Sequence, residues 1–294
     1  MDGKHSIVRK WASSISLIIS LVSPLQTRVF GAVIRHITVR PKKITPRSLF
    51  HYSITQSHTN LLETDYNFHK SNSTYFADLD VSRSHLVLHL LRPGMQAIGQ
   101  NAKTELVRDK QGNLIKGGMG MGLGAVFCSF RKELGSYQGF EMWSRVLAWD
   151  RKWLYIVTHF IVKGKVRPTE WDNASFGKTR PRDEDADFQK YVVATAVSKY
   201  VFKLGRFTVH PAIVLEASSL LPPRPGAGWR GGDAEVGTPD DLGEVTAEGE
   251  WDWKRVESQR RKGMEFAEHF AALDETNSLF DGGEDGALGR FGPG

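Results

Sequence analysis

Between Glu63 and Arg83 the chain reads ETDYNFHKSNSTYFADLDVSR, and the residue types able to do chemistry crowd its first half: Asp65, Asn67, His69, Asn72 and Ser73. An apolar pattern of helical spacing begins directly behind them. That juxtaposition points to chemistry at a group that gains negative charge, because a helix N-terminus presents unpaired backbone N–H groups and the positive end of its dipole. The same residue types are those that turns and helix caps prefer. Spacing alone therefore leaves two readings open, a reaction site and a well-capped helix start.

The elements that must position this cluster can be read outward from it. Tyr75, Leu79, Leu86 and Leu90, with Phe76 and Val87, recur at helical spacing over roughly five turns, while Asp78, His85 and His89 fall largely off that stripe. Arg92-Pro93-Gly94 stops the element. Asp80 and Arg83 stand three apart on one face, the spacing of a local ion pair. A long helix that is apolar on one side needs a broad partner such as a sheet. Strands follow at Gly117 to Phe127, Gln138 to Trp149, Lys152 to Val162 and Tyr191 to Lys203, and Leu49 to Thr55 alternates well enough to precede the helix as another. In the first of these, Gly118, Gly120, Gly122 and Gly124 share one face, which lets another backbone or a ligand approach closely. Gly120-x-Gly122-x-x-Ala125 fits a bare dinucleotide pattern, but no helix follows to receive a pyrophosphate. Trp149-Asp150-Arg151-Lys152 reads as a turn, and Gly164 to Gln189 as a long polar excursion.

The 294 residues are 40% hydrophobic and 24% charged, an ordinary globular balance, with a net charge of +6. The charge is uneven: from Asp233 to Gly294 there are 6 Lys/Arg against 16 Asp/Glu, net −10, which leaves +16 on the rest. No zinc-finger spacing, RNP-like aromatic pattern or basic recognition helix accompanies that basic body, so nucleic acid is not the expected partner. The one cysteine excludes an internal disulfide framework; Cys128, in AVFCSF, reads as a small buried residue rather than a nucleophile. His159 and His210 read as structural, and with the histidines scattered no metal or cofactor site is expected. Residues 1–46 form a basic segment with no acidic residue between Gly3 and Leu62. Its stretch Trp11 to Leu25 is too short and Ser-rich for a membrane span. An amphipathic helix from Thr27 to Val39, with Val29, Phe30, Val33, Ile34 and Ile37 opposite Arg28, Arg35 and His36, is expected to lie on a membrane surface or cover part of the fold. A mitochondrial presequence is the alternative to a cytoplasmic, membrane-associated protein. Pro41 to Pro46 ends that helix. Residues 222–250 read as a flexible linker, 251–275 as a C-terminal amphipathic helix burying Trp253, Val256, Met264, Phe266, Ala267 and Phe270 and interrupted by Gly263, and 276–294 as a disordered tail.

Several separated pieces, in order, carry a family resemblance. Asp65, Asn67 and His69, followed by Asn72, Tyr75 and Arg83, then the small-residue strand, Gln138 to Glu141, Arg145 to Asp150 and the aromatic strand Trp153 to Phe160, resemble hot-dog-fold thioesterases of the 4-hydroxybenzoyl-CoA thioesterase type. The chain looks closest to the branch that includes thioesterase superfamily member six and fungal proteins encoded near biosynthetic genes. The likeness spans about Leu49 to Leu221, within a domain placed at 47–221. It leaves the N-terminal segment, the Gly164 to Gln189 excursion and the C-terminal helix unaccounted for.

The resemblance implies an α+β hot-dog fold, an antiparallel sheet wrapped around one long central helix, with extra N- and C-terminal helices here. It implies a homodimer with an acyl-CoA or acyl carrier protein thioester at the protomer interface. Asp65 matches the carboxylate that acts as nucleophile or general base, and backbone N–H groups from His69 to Ser73 would receive the carbonyl oxyanion as it forms. His69 and Asn72 complete the candidate catalytic set, Asn72 standing where related enzymes often place a histidine. Asn67, Ser73, Tyr75, Met119, Met121 and Leu123 are the candidate substrate-binding residues, for an acyl or polyketide chain in fungal secondary metabolism. An acyl-binding hot-dog protein without hydrolysis, and a dehydratase or isomerase on the same fold, are the alternatives.

Overall fold

The computed structural model describes residues 24–38, 44–172, 177–181, 187–223 and 251–279. The expectations for the chain before residue 24, for Pro41 to Lys43, for the linker from 224 and for the tail from 280 lie outside them. In chain order the elements are helix α1 (Pro24–Thr38), a 3-10 turn (Pro46–Phe50), strand β1 (Ser53–His58), the long helix α2 (Asn72–Leu90), short helices α3 (Arg92–Gly99) and α4 (Asn101–Thr104), strands β2 (Met119–Phe130), β3 (Gly139–Trp149), β4 (Trp153–Val162), β5 (Val192–Leu204) and β6 (Phe207–Val209), then helices α5 (Pro211–Ala217) and α6 (Trp253–Ala272). Strands pair side by side as β1, β3, β4, β5, β2, all antiparallel, and β6 pairs with β5.

One helix touches four of these strands. Tyr75 packs edge-on against Phe130 of β2 and Phe160 of β4, with ring centres 5.0 and 4.9 Å apart. Ser82 Oγ meets Ser144 Oγ of β3 at 2.7 Å, and Arg83 donates to Ser198 Oγ of β5 at 2.6 Å. Such reach requires the sheet to curl around α2, and the result is an α+β hot-dog fold. Tyr75, Leu79, Leu86 and Leu90 are buried, as their spacing predicts. Enclosure also buries polar groups, which find partners as buried groups must: Ser144 continues to Thr158 Oγ1 at 2.7 Å, and Arg83 pairs with Asp80. The helix ends where expected, but Arg92-Pro93-Gly94 opens α3 rather than a loop. Pro93 lies in the first turn, where its missing N–H is not needed.

Four further expectations change. Leu49 and Phe50 belong to the 3-10 turn started by Pro46, which buries both, and β1 begins only at Ser53. The period-two pattern of β2 fails at Gly124, where a bulge shifts the register between Leu123 and Ala125. Trp153 occupies the space beside that glycine, so a Cβ there would stand 2.4 Å from its ring. Gly263 does not interrupt α6; the helix backbone meets β3 at that position, where a Cβ would stand 2.1 Å from the Leu147 carbonyl oxygen. Phe266, expected inside, is exposed, whereas Val256, Ala267 and Phe270 are buried. The Asp150 turn forms as read, its Oδ1 accepting from the Lys152 and Trp153 N–H groups at 2.7 Å each.

Helix α1 covers part of the fold with its polar side. Arg28 reaches Asp78 of α2 at 2.8 Å and His36 Nε2 lies 3.1 Å from His85 Nδ1, while Phe30, Ile34 and Ile37 stay exposed. No described helix is long and apolar enough to cross a membrane. Burial, followed by the neighbouring His85 and His89 rings, lowers the His36 pKa to about 4; burial and then Arg145 do the same to His159. The folded chain thus keeps both rings neutral while the unfolded chain takes up protons below about pH 6.5. Stability contributed by the neutral rings is present above about pH 6.5 and lost as pH falls toward 4. Thermal melts across that window should show a falling Tm, and a shallower fall in His36→Asn; equal slopes in the two proteins would contradict the assignment.

Candidate functional site

The segment before α2 is a tight loop organised by Asp65. Its N–H donates to the His69 carbonyl at 2.8 Å, and its Oδ1 accepts from the Asn67 and His69 N–H groups at 2.9 and 3.1 Å. Phe68, at φ +60, closes the loop by donating to the Asp65 carbonyl. Among the described residues Oδ2 of Asp65 has no hydrogen bond, and the side chain is exposed. The carboxylate is therefore held at one oxygen and presented at the other. His69 bridges to Gly135 through its backbone, and its Nδ1 stands 3.3 Å from Glu133 Oε2. Ser71 precedes α2 without a side-chain cap hydrogen bond, and its carbonyl takes the Thr74 N–H at 3.0 Å. Of the N–H groups expected to receive an oxyanion, those of His69, Lys70 and Ser71 are spent on Asp65 Oδ1 and on the Leu134 and Glu63 carbonyls, which leaves Asn72 and Ser73. Asn72 and Ser73 stand exposed on that turn.

What fixes the loop to the helix is a residue the sequence reading passed over. Lys70 is buried, with Nζ 2.9 Å from Glu63 Oε2 and 2.8 Å from Asp78 Oδ2, and 5.3 Å from the ring centres of both Tyr75 and Phe140. Asp78, itself 1% exposed, takes Arg28 of α1 on its other oxygen at 2.8 Å. These contacts bring Glu63, at the start of the loop, against the second turn of α2. The only signal in the sequence is a lysine followed eight residues later by an aspartate that falls off the apolar stripe, and nothing in that spacing announces burial.

The structure joins Asp65, Asn67 and His69 in one hydrogen-bonded loop and places Asn72 and Ser73 on the helical turn that follows it. It does not bring the remaining candidates there. Tyr75 is 2% exposed inside the core with Leu79, Leu134 and Phe140, a packing position rather than a substrate contact, and burial raises the pKa of its hydroxyl. Met119 and Met121 pack against the core cluster around Leu86 and Leu90, at the far end of α2. Met119 lines a small cleft of about 230 Å³ with Val87 and Met95. Leu123 is exposed on the edge strand β2. Cys128 is half-buried, and burial pushes its thiol up to about 11, the reverse of what a nucleophile needs. Among the described residues no group of three or more His, Cys, Asp or Glu side chains is placed to hold a metal ion.

With that geometry in place, relatives decide the class. The thioesterase poxG of Penicillium oxalicum is 35% identical to this chain over 304 aligned positions, which cover 95% of this chain and 90% of the relative. The chain belongs to this thioesterase family. The probable thioesterase atnL of Emericella nidulans matches the family chain at 33% over 246 positions, 83% of this chain and 75% of the relative. Among solved structures, the probable thioesterase YbaW of Escherichia coli is similar with a TM-score of 0.37 and 11% identity, over 57% of this chain and 96% of that one. No protein-family model matches. The family is one of thioester hydrolases. Because Lys70 holds the loop that carries Asp65, Lys70→Met should destabilise the thioesterase by about 3 kcal/mol, since it leaves the Glu63 and Asp78 charges without their shared cation. Urea unfolding measures this, and an unchanged midpoint would show that the ion network is dispensable.

Proposed function

We propose that this chain hydrolyses an acyl or polyketide thioester carried by CoA or acyl carrier protein, with Asp65 as nucleophile or general base. The observation that carries the reading is the Asp65 carboxylate, fixed through Oδ1 by its own loop and open at Oδ2, beside the first turn of α2. The thioester carbon is attacked by Asp65 or by a water that Asp65 deprotonates. Charge then moves to the carbonyl oxygen, where N–H groups at the start of α2 and the dipole end offset it. Collapse of the tetrahedral intermediate expels the thiolate; on the nucleophilic route water then cleaves the mixed anhydride left on Asp65, releasing the acid and restoring the carboxylate.

The same reading includes a second copy of the chain. Around the Asp65 loop Leu62, Tyr66, Phe68 and Tyr137 are between 67% and 93% exposed, a concentration of apolar surface that monomers rarely leave uncovered. Edge strand β2 adds exposed Leu123, Phe127 and Phe130 beside an unpaired backbone edge. A partner seated there would cover these groups and wall the site. A second reading, elimination or isomerisation on the same fold, draws on His69 facing Glu133, a pair able to hold an imidazole in one tautomer.

Assays against an acyl-CoA length series should release free thiol. Asp65→Asn, whose amide oxygen can still accept the two loop hydrogen bonds, should lose about 10²–10⁴-fold in kcat with Tm unchanged. Full activity in that variant removes Asp65 from the mechanism; substrate consumed without thiol release favours the elimination reading. Light scattering at micromolar concentration should give twice the 33.0 kDa chain mass, and a monomer would remove the partner from the site.

A further inference from the structure

A second cavity, of about 1190 Å³, opens between α1, the C-terminal half of α2, β1 and the segment from Val166 to Asp172. No residue from Leu61 to Tyr75 lines it, so it is separate from the Asp65 junction. Its volume is somewhat above the roughly 300–1,000 Å³ that drug-sized ligand sites enclose. Phe50, Leu86, Met142, Trp143, Ile161 and Trp171 give it apolar and aromatic walls. Two of its boundaries, α1 and the Val166 to Asp172 segment, lie in the parts of the chain that the hot-dog resemblance leaves unaccounted for. The segment is tied to the start of the domain by Arg47 on Glu170 and by His51 Nδ1, 2.6 Å from Asp172 Oδ1.

The polar groups of the cavity have a definite pattern. His36, His85 and His89 line one side, with the His36 ring centre 5.3 and 5.7 Å from the other two. One hydrogen bond joins His36 Nε2 to His85 Nδ1, and burial is the first cause keeping all three rings neutral. Neutral imidazoles offer hydrogen bonds without charge. Thr55 Oγ1, on a lining residue, is buried with no hydrogen-bond partner among the described residues, a state that buried hydroxyls rarely keep. The charged lining groups are mostly spent. Arg28 is on Asp78, Arg180 donates to the Arg167 and Pro181 carbonyls, and Glu170 and Asp172 are paired. Among the described residues the lining charges without an ion pair are Arg35, Arg167 and Arg180, all positive; Arg180 is spent on backbone carbonyls, whereas Arg35 and Arg167 are exposed.

We propose that this cavity binds an amphipathic monocarboxylate, its apolar or aromatic body inside against the Trp143 and Phe50 walls and its carboxylate toward Arg35 and Arg167. An apolar chamber with uncharged hydrogen-bonding groups and a cationic rim complements that class of molecule and disfavours a dication or a fully polar sugar. Binding there does not require hydrolysis at Asp65.

Dodecanoate titrated into the full chain by calorimetry should bind saturably at one site per chain, equally in Asp65→Asn, whereas dodecanol should bind at least about tenfold more weakly. The Arg35→Gln, Arg167→Gln double variant changes exposed side chains only and should weaken dodecanoate about tenfold while leaving dodecanol unchanged. Gly31 of α1 lines the cavity, and a Cβ there meets nothing within 4 Å, so Gly31→Trp should block both ligands without disturbing the fold. Absent saturable binding, or binding unaffected by both variants, would overturn the proposal. Loss of thiol release with dodecanoate binding intact would count against the hydrolase reading alone.

Discussion

Asp78 lies in the second turn of α2 with a carboxylate that is 1% exposed, and two cations from different parts of the chain close on it at 2.8 Å. One is Lys70, at the end of the loop that carries Asp65; the other is Arg28, on α1. An ionised carboxylate in that position costs several kcal/mol of lost hydration, and only close opposite charge offsets it. Lys70 then extends the link to Glu63, so a single buried charge joins the N-terminal helix, the Asp65 loop and the central helix. The position of Asp65 relative to the α2 dipole follows from this junction more than from the loop itself.

The rest of α2 repeats the theme at lower cost. One turn beyond Asp78, the Ser82, Ser144 and Thr158 hydroxyls form a chain from helix to β3 to β4, and Arg83 reaches Ser198 of β5 while its guanidinium lies 5.6 Å from the Tyr200 ring centre. Apolar contacts alone would let a helix inside a curled sheet slide or rotate with little penalty. Directional polar contacts at successive turns allow one register, because any other leaves buried donors and acceptors unpaired. The register matters for function, since it sets how far the first turn of α2 projects from the sheet toward the loop.

Much of this architecture is legible in the sequence, and the illegible parts share a cause. The stripe Tyr75, Leu79, Leu86, Leu90 and the alternating runs of β3, β4 and β5 are local patterns with local meaning, and their ends lie within two residues of the expected positions. The Asp150 turn is equally local. By contrast, amphipathicity says that α1 has two faces but not which one meets the domain, and Arg28 and His36 turn its polar face inward because their partners sit on α2. Gly124 and Gly263 read as a strand position and a helix breaker, yet each marks close approach by Trp153 or by β3, which only tertiary packing supplies. Tyr75 is a candidate ligand contact through the family resemblance, but its ring is taken by Phe130 and Phe160. Lys70 and the cavity behind α1 depend on pairs of residues far apart in the chain, and no window of the sequence contains them.

The two readings of Asp65, a cap residue and a reactive carboxylate, are compatible in geometry. The Asn67 and His69 N–H groups both bind Oδ1, which is the capping role that the residue type suggests. A carboxylate has two oxygens, and the loop uses one. Holding Oδ1 removes the rotational freedom of the side chain and so fixes where Oδ2 points. Ordering of this kind would otherwise have to be supplied when substrate binds. An aspartate that fixes its own loop through one oxygen thus presents the other in a set direction ahead of α2, and that geometry is what the proposed role of Asp65 rests on.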